Sequence, residues 1–291
     1  MSHRMARSVE ILGAEPVAGG CIYETTRLST NLQEDFFLKW AQGPVSDVFA
    51  AEADGLGALH ASTRDSTDLT VPEVIGNSDA GEMPAWLLLE YVPHGRPATD
   101  YAERLGEALA VLHDTGKGPY GWHRSNYIGS LPQANTPRDD WPAFWWSERL
   151  EPQLALAHDN GRLAGLDREW ATLESKLPKL LEGAEEDGHS ILHGDLWSGN
   201  VYPGPDGGPV LVDPAVYRGH HEVDLAMMEL FGGFPRAFYA AYEDRRPLTD
   251  GYEEIRRHVY QLYPLLVHVN LFGGGYVASV EGALRSALTS R

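Results

Sequence analysis

Hydrophobic and polar positions in the first ninety residues predict mainly β-strands. Residues 21–29 are β-rich and partly alternating, and residues 35–40 read DFFLKW, a short apolar run of the kind that forms a strand. Ser46 or Asp47 can then cap a helix that continues to about His60, because apolar side chains recur along it at helical spacing. Residues 85–92, AWLLLEYV, predict another, buried strand.

The pattern becomes helical after that last strand. A breaker cluster, Pro93-His94-Gly95, marks the change, and we interpret it as a hinge. Thr99 or Asp100 can cap a helix that ends near His113, and further helices are predicted around residues 143–158 and 167–181. The hinge therefore separates two regions of different secondary structure.

A β-hairpin interrupts the helical region, since the β-prone residues 201–202 and 210–212 flank the turn sequence GPDGG. Taken together, the elements predict an α+β fold of two lobes. Residues 1–93 would form an N-terminal lobe with an antiparallel sheet and one main helix. Residues 94–291 would form a mostly helical C-terminal lobe.

One stretch is long enough to cross a membrane. Residues 258–280 contain no Asp, Glu, Lys or Arg, a length that can span a bilayer. However, the stretch includes Gln261, Pro264, Asn270 and the triplet Gly273-Gly274-Gly275, which are costly in hydrocarbon. We therefore predict a buried core helix followed by a glycine-rich turn, and no membrane partner.

Charge and cysteine content narrow the class of protein. The formal net charge is −19, from 42 acidic and 23 basic residues, so the surface repels nucleic-acid phosphates and anionic membranes. The one cysteine excludes an intrachain disulfide, and the first ten residues contain no apolar signal region. A cytoplasmic location is expected, while a monomer and a dimer both remain open.

The strongest motif is HGDLWSGN at residues 193–200, which fits the kinase catalytic-loop spacing H-x-D-x-x-x-x-N. Asp195 would accept or orient the proton of an attacking hydroxyl, and Asn200 would reach a magnesium ion on the phosphates. Asp213 ends the apolar strand PVLVD and can meet Asn200 across that metal. The pattern predicts phosphoryl transfer from ATP with Mg²⁺; the alternative is that these residues only form turns.

The N-terminal region supplies the other groups that such a site needs. Gly19-Gly20-Cys21 is a glycine turn whose amides can approach the ATP phosphates. Lys39 ends a strand and can hold the α- and β-phosphates, with Glu52 on the next helix as its partner. The adenine edge would be read by the main chain of the strand end, that is, by Leu89, Glu90, Tyr91 and Val92.

Sequence motifs that would indicate another kind of chemistry are absent or lack the required spacing. A Walker A loop and a G-x-S-x-G nucleophile elbow are both absent. His220, His221 and Glu222 are adjacent, but neighbouring histidines point in different directions on most backbones and the spacing is not that of a zinc site. We therefore do not expect a metal site there.

At this point the chain resembles the fructosamine kinase (ketosamine-3-kinase) family, within the wider group of aminoglycoside and choline kinases. The resemblance covers nearly the whole chain and is carried by GGCIYET, FFLKW, LLLEYV, LGEALAVLH, LPQANTPRDDWPAFWWSERLEPQL, HGDLWSGN, DPAVYRGHHEVDLAMMELFGGFP and NLFGGGY. It implies a protein-kinase-like fold and ATP-dependent phosphorylation of the 3-hydroxyl of ketosamines. That reaction makes the adduct unstable, so the glycated amine is recovered.

The resemblance also implies residue roles. The family's catalytic aspartate corresponds to Asp195, its metal ligands to Asn200 and Asp213, its ATP lysine to Lys39 and the partner glutamate to Glu52. Two further residues would be structural near the site, His193 and Asp224, the latter standing where many relatives have glutamate. DPA replaces the D-F-G of protein kinases and no A-P-E segment follows, which disfavours a protein kinase switched by phosphorylation.

Residues that touch the acceptor are harder to predict. Trp145, Trp146 and Trp197 can stack on a sugar, although burial in the core is the favoured interpretation for each; Trp197 is the best candidate because it is two residues from Asp195. His221 and Glu222 can also face the acceptor. Cys21 is either an inert small residue or a thiol whose oxidation inhibits the enzyme.

Two alternatives to a ketosamine kinase remain. A kinase for another hydroxyl, as in an aminoglycoside, choline or homoserine, would keep the same motifs. A nucleotide-binding pseudokinase is disfavoured because Lys39, Asp195, Asn200 and Asp213 are all intact. The sequence leaves open which sugar the acceptor carries and whether it is a free metabolite or a glycated protein.

Overall fold

The computed structural model describes residues 8–17, 23–43, 45–63 and 68–289. The predicted glycine turn, with Gly19, Gly20 and Cys21, lies outside these residues. Its proposed contacts with phosphate and the proposed oxidation of Cys21 therefore stay predictions.

A five-stranded antiparallel sheet forms the N-terminal part. Its strands are β1 Ile11–Pro16, β2 Glu24–Thr30, β3 Asp35–Ala41, β4 Val74–Asn77 and β5 Ala85–Glu90, and their order in the sheet is β1-β2-β3-β5-β4. The predicted apolar runs form two of the three interior strands, β3 and β5, which pair so that Lys39 is opposite Leu87.

Helix α1 (Val48–Thr63) packs against this sheet at β4 and β5. Phe49, Leu56 and Leu59 lie on its buried face, as expected from their helical spacing. The predicted helix is confirmed, and it carries Glu52 towards the sheet residue Lys39.

The rest of the chain is mainly helical, as predicted. Asp100 precedes the second helix, but its side chain makes no capping hydrogen bond, so that detail of the prediction is wrong. The helices are α2 Tyr101–His113, α3 Trp141–Phe144, a π-helix Trp145–Leu150, α4 Glu151–Asp159, α5 Asp167–Leu180, α6 Glu222–Leu230, α7 Arg236–Arg245, a π-helix Tyr252–Arg256, α8 Arg257–Phe272, a 3₁₀-helix Gly274–Tyr276 and α9 Val277–Thr289.

The charge-free stretch forms α8, which is a core helix. Val259, Leu262, Leu266 and Val269 are fully buried along it, and it ends at Gly273, whose φ of +95° favours glycine. In the part of the chain that the structure describes, no helix has the length and apolar character needed to cross a membrane.

Short strand pairs hold the loops of the C-terminal part. The predicted hairpin is confirmed as β9 (Val201–Pro203) and β10 (Pro209–Leu211). Gly95 of the predicted hinge packs on its turn, since an added Cβ would lie 2.0 Å from the Gly204 carbonyl oxygen. Sequence analysis missed the other two pairs, because strands of three residues show no measurable period. The bounds are β6 Asn126–Ile128, β7 Leu131–Gln133, β8 Ser190–Leu192, β9 Val201–Pro203, β10 Pro209–Leu211 and β11 Tyr217–Gly219.

Candidate active site

A cleft of about 750 Å³ contains the predicted catalytic aspartate, both predicted metal ligands and the predicted lysine–glutamate pair. Its wall is formed by residues of β3 and α1 on one side and by the loops and helices of the C-terminal part on the other. The predicted site residues that line it are Lys39, Glu52, Asp195, Trp197, Asn200 and Asp213. The structure therefore brings together residues from both ends of the sequence.

Lys39 binds two carboxylates at once. Its Nζ atom lies 2.6 Å from Oε1 of Glu52 and 2.5 Å from Oδ1 of Asp213. Burial acts to lower the pKa of Lys39, but the two carboxylates outweigh it and hold that pKa above its ordinary value. The side chain is thus a fixed ammonium group in the cleft, as a lysine that binds phosphate must be.

Asp195 and Asn200 contact each other inside the cleft. The Asn200 Nδ2 group donates to the main-chain oxygen of Asp195 at 2.7 Å and to Oδ2 of its side chain at 3.3 Å. Because the amide nitrogen is used in this way, Oδ1 is the atom of Asn200 left for a cation. Burial and the nearby charge of Asp213 raise the pKa of Asp195 to about 7, which suits a group that exchanges a proton near neutrality.

Asp213 has a left-handed backbone, with φ of +57°, which costs free energy for a residue with a side chain. The flanking amides fix this conformation: that of Val212 donates to the Asn200 carbonyl at 3.1 Å, and that of Ala215 to the His193 carbonyl at 2.8 Å. The strained turn directs the Asp213 carboxylate to Lys39. The place of Asp213 at the end of an apolar strand is predicted from the sequence, whereas its left-handed backbone is not.

Asp224 braces the loop that carries Asp195. From the first turn of α6, its carboxylate accepts the main-chain amides of His193 at 2.8 Å and Gly194 at 2.9 Å. Burial acts to raise the pKa of Asp224, but the hydrogen bonds from His113 Nε2, at 3.2 Å, and from the Gly194 amide help to outweigh it, so that pKa stays below its ordinary value. At Gly194 a Cβ would lie 2.2 Å from the Ala215 carbonyl oxygen, so only glycine fits.

The predicted adenine-reading segment, Leu89 to Val92, is not among the residues that line the cleft. The amides of Glu90 and Tyr91 donate to neighbouring main-chain carbonyls, and the Val92 carbonyl accepts from the Tyr202 hydroxyl at 3.0 Å. The Val92 amide has no acceptor within the described ranges. Adenine recognition by this segment stays a prediction.

The tryptophans differ in their environment. Trp145 is fully buried, in agreement with the core interpretation, and Trp146 is partly buried against the same core. Trp197 is 37% exposed, lines the cleft and lies over Gly199, so the core interpretation is wrong for this residue.

His221 and Glu222 do not reach the cleft, and the expectation that they face the acceptor is wrong. Both side chains are buried. Glu222 forms an ion pair with Arg256. The Arg256 Nε and Nη2 groups donate to Oε2 and Oε1 of Glu222, at 2.7 and 2.6 Å. The expectation that His220 and His221 diverge is also wrong, because their ring centroids are 4.7 Å apart.

An aromatic wall that is not predicted from sequence lines part of the cleft. It consists of Phe231, His268, Phe272 and Tyr276. The His268 ring centroid lies 4.5 Å from that of Phe231, 4.9 Å from that of Tyr276 and 5.3 Å from that of Phe272. The spacing of four residues between His268, Phe272 and Tyr276 is the signal in the sequence, and the predicted core helix over this stretch accounts for it equally well.

The position of α1 depends on two acidic residues, Asp47 and Asp54, whose contacts with the C-terminal part are not predicted from sequence. Asp47 accepts a hydrogen bond from the Tyr127 hydroxyl at 2.8 Å and pairs with Arg124. Asp54 accepts from Nε1 of Trp122 at 2.7 Å. These contacts attach the helix that carries Glu52 to the C-terminal part.

Comparisons with known proteins find relatives over nearly the whole chain. A family model described as fructosamine kinase matches residues 1–290. A protein provisionally named a ketoamine kinase, from Synechocystis sp., is 42% identical over 274 residues, which cover 94% of this chain and 89% of that protein. Protein-ribulosamine 3-kinase of Arabidopsis thaliana is 36% identical, with 94% of this chain and 82% of that protein covered.

Solved structures show the same fold. A crystal structure provisionally described as a fructosamine-3-kinase, from Thermobifida fusca, has a TM-score of 0.86 and 34% identity, and covers 99% of this chain and 96% of that one. The aminoglycoside phosphotransferase APH(4)-Ia, in complex with AMP-PNP and hygromycin B, has a TM-score of 0.60 at 15% identity, with 97% and 95% covered. The predicted α+β, protein-kinase-like fold of two lobes is confirmed; the boundary at residues 93–94 stays a prediction.

Proposed function

The chain belongs to the fructosamine kinase family, and from that premise we propose that it transfers a phosphoryl group from ATP to the 3-hydroxyl of a ketosamine. The observation that carries the proposal is the convergence of Lys39, Asp195, Asn200 and Asp213 on one cleft. Relatives named ketoamine kinase and protein-ribulosamine 3-kinase support the class of acceptor.

The residues present fit a magnesium ion. Asn200 offers an amide oxygen and Asp213 a carboxylate, the hard oxygen ligands that Mg²⁺ prefers. When bound, Mg²⁺ would neutralise phosphate charge. Lys39 supplies a fixed ammonium for the phosphates, and Glu52 keeps it in place through the 2.6 Å contact.

Asp195 would orient the acceptor hydroxyl and take its proton. The Asn200 amide holds the Asp195 carboxylate at 3.3 Å, and Asp224 holds the loop through two main-chain amides. The base is therefore positioned before the acceptor binds, which lowers the entropic cost of reaching the reactive geometry.

The acceptor would enter from the aromatic end of the cleft. Trp197 lines the cleft two residues after Asp195 in the sequence. Its exposed ring offers a face for the sugar or the amine stem. Phe231, His268, Phe272 and Tyr276 continue that surface. The net charge of −19 favours cationic amines as acceptors over anionic ones.

Phosphorylation at the 3-hydroxyl would make the ketosamine unstable and release the free amine, so the proposed role is deglycation. A cytoplasmic location fits the single cysteine.

An acceptor panel tests the proposal. ATP consumption with Mg²⁺ would be measured for lysine adducts of ribulose, erythrulose and fructose, and for kanamycin, choline and homoserine. We expect turnover with at least one ketosamine and none above background with the other three. Turnover with one of those three alone would replace the ketosamine assignment, and ATP binding without turnover on any acceptor would indicate a pseudokinase.

A further inference from the structure

Three polar side chains outside the cleft converge just before α6. Nε2 of His220 lies 3.0 Å, and Nε2 of His221 3.6 Å, from the same oxygen of Asp187, Oδ2. Both imidazoles are buried, whereas the Asp187 side chain is 19% exposed and so can be reached from solvent. One potential ligand atom from each of these residues and from Glu222 lies within 4.8 Å of the others.

Glu222 is not available to this cluster. Both of its oxygens accept hydrogen bonds from the Arg256 guanidinium. If Glu222 turned away to bind a metal, this buried guanidinium would lose its carboxylate partner. The available set is therefore two imidazoles and one carboxylate.

The hydrogen bonds around Tyr242 determine which nitrogen of His221 carries a proton. Asp224 accepts two main-chain amides as a carboxylate, so His113 must donate to it from Nε2. Nδ1 of neutral His113 then accepts from the Tyr242 hydroxyl, at 2.7 Å. That hydroxyl has only one proton, so its oxygen accepts from Nδ1–H of His221, at 2.9 Å.

The Nε2 atom of His221 consequently carries a lone pair that faces Asp187. The rings of His113 and His221 are both buried, and burial favours the neutral form of an imidazole. A lone pair and a carboxylate oxygen 3.6 Å apart repel each other, and a cation between them would turn that repulsion into attraction on both sides.

The spacing suits a small divalent cation. With ligand bonds of about 2.0–2.1 Å, oxygen–nitrogen separations of 3.0 and 3.6 Å correspond to angles of roughly 95° and 120° at the metal, on either side of the tetrahedral value. Each imidazole also has an outer partner at Nδ1: Tyr242 for His221, and Tyr260, at 2.8 Å, for His220. Such partners orient the imidazole ligands of metals.

We propose that Asp187, His220 and His221 form a binding site for a zinc-type divalent cation, separate from the phosphate-binding position at Asn200 and Asp213. Two imidazoles favour Zn²⁺ over Mg²⁺, and a water molecule would complete the coordination. The chain of contacts from His221 through Tyr242 and His113 reaches Asp224, so the bound cation would stabilise the elements that brace the catalytic loop.

Metal titration tests this site directly. Chelator-treated protein would be titrated with Zn²⁺ by calorimetry in excess Mg²⁺, and with Co²⁺ by visible absorption. We expect one equivalent of Zn²⁺ and the absorption bands of tetrahedral Co²⁺. Asp187→Asn and His221→Asn should each weaken Zn²⁺ binding at least about tenfold, whereas His158→Asn, at the surface His158–Asp167 pair, should not change it.

Asp213→Asn separates this site from the phosphate position, since it should leave Zn²⁺ affinity unchanged. If the buried His221→Asn variant does not fold by circular dichroism, the more exposed Asp187→Asn decides. The proposal is overturned if chelator-treated wild type binds no Zn²⁺ in excess Mg²⁺, or if folded Asp187→Asn retains the wild-type affinity.

Discussion

Nζ of Lys39 lies 2.5 Å from Oδ1 of Asp213, although 174 positions separate the two residues in the sequence. Through this contact a strand of the N-terminal sheet meets the turn that follows β10. Glu52 contacts the same ammonium from α1. The charge arrangement of the cleft is thus set by residues from three separate elements.

Lys39→Met should disable the site and destabilise the fold. Without the ammonium, Glu52 and Asp213 repel each other, and we expect a loss of about 1–3 kcal/mol in the free energy of unfolding together with a fall in kcat/KM for ATP of at least about 100-fold. Urea unfolding and steady-state kinetics measure the two effects. The exposed Lys176→Met is the control; equal behaviour of the two variants would contradict the assigned role.

Asp195 should make both activity and stability depend on pH near 7. Its pKa is raised to about 7, so kcat/KM should rise with pH through that value as the carboxylate forms. The free energy of unfolding should change in the opposite direction and fall as pH rises. A raised carboxyl pKa gives stability that is present below the unfolded pKa of about 4 and lost as pH rises through the folded value.

Asp195→Asn tests both consequences. Turnover should fall about 10²–10⁴-fold while ATP binding persists. Because the amide cannot ionise, the variant should gain stability relative to wild type between pH 5 and pH 8, by about 1–3 kcal/mol. Chemical denaturation at the two pH values measures the difference in unfolding free energy between the variant and wild type. If that difference is the same at both pH values, Asp195 does not titrate in this window.

Asp224→Asn should loosen the catalytic loop. One amide NH₂ would face the main-chain amides of His193 and Gly194, and an unsatisfied buried donor costs about 1–3 kcal/mol. We expect kcat to fall at least about tenfold with KM for ATP changed less than threefold, since the nucleotide contacts are elsewhere. The exposed Asp159→Asn serves as control. A larger effect on KM for ATP than on kcat would argue against loop bracing.

Trp197→Ala should affect acceptor binding and hardly affect stability. Its side chain is 37% exposed, so unfolding should change by less than about 1 kcal/mol, while KM for the ketosamine rises about tenfold. The fully buried Trp145→Ala should instead cost about 3–5 kcal/mol. Thermal unfolding and acceptor titrations distinguish the two; unchanged acceptor KM in Trp197→Ala would remove this residue from the site.

Much of the site is readable from sequence because its signals are local. HGDLWSGN places Asp195 and Asn200 within one loop, and the hairpin delivers Asp213 next to them. Lys39 and Glu52 follow from one strand and one helix. Each of these predictions needs only secondary structure and chain order.

The rest depends on tertiary packing that no local pattern reports. His268 and Phe272 share a helix with the core residues Leu262 and Leu266, and which face meets the cleft is set by the neighbouring elements. His221 was expected at the acceptor, yet Tyr242 holds its ring in the interior. Its neighbours come from distant segments, so the cluster with Asp187 was invisible in the sequence.

The most direct test of the central claim is the ³¹P NMR spectrum of a reaction with ATP, Mg²⁺ and a ketosamine. The account predicts a new phosphomonoester resonance coupled to the hydrogen on C3 of the sugar, and no such resonance with Asp195→Asn. A phosphomonoester at another position, or full activity in that variant, would contradict the assignment of Asp195 and its cleft to ketosamine 3-phosphorylation.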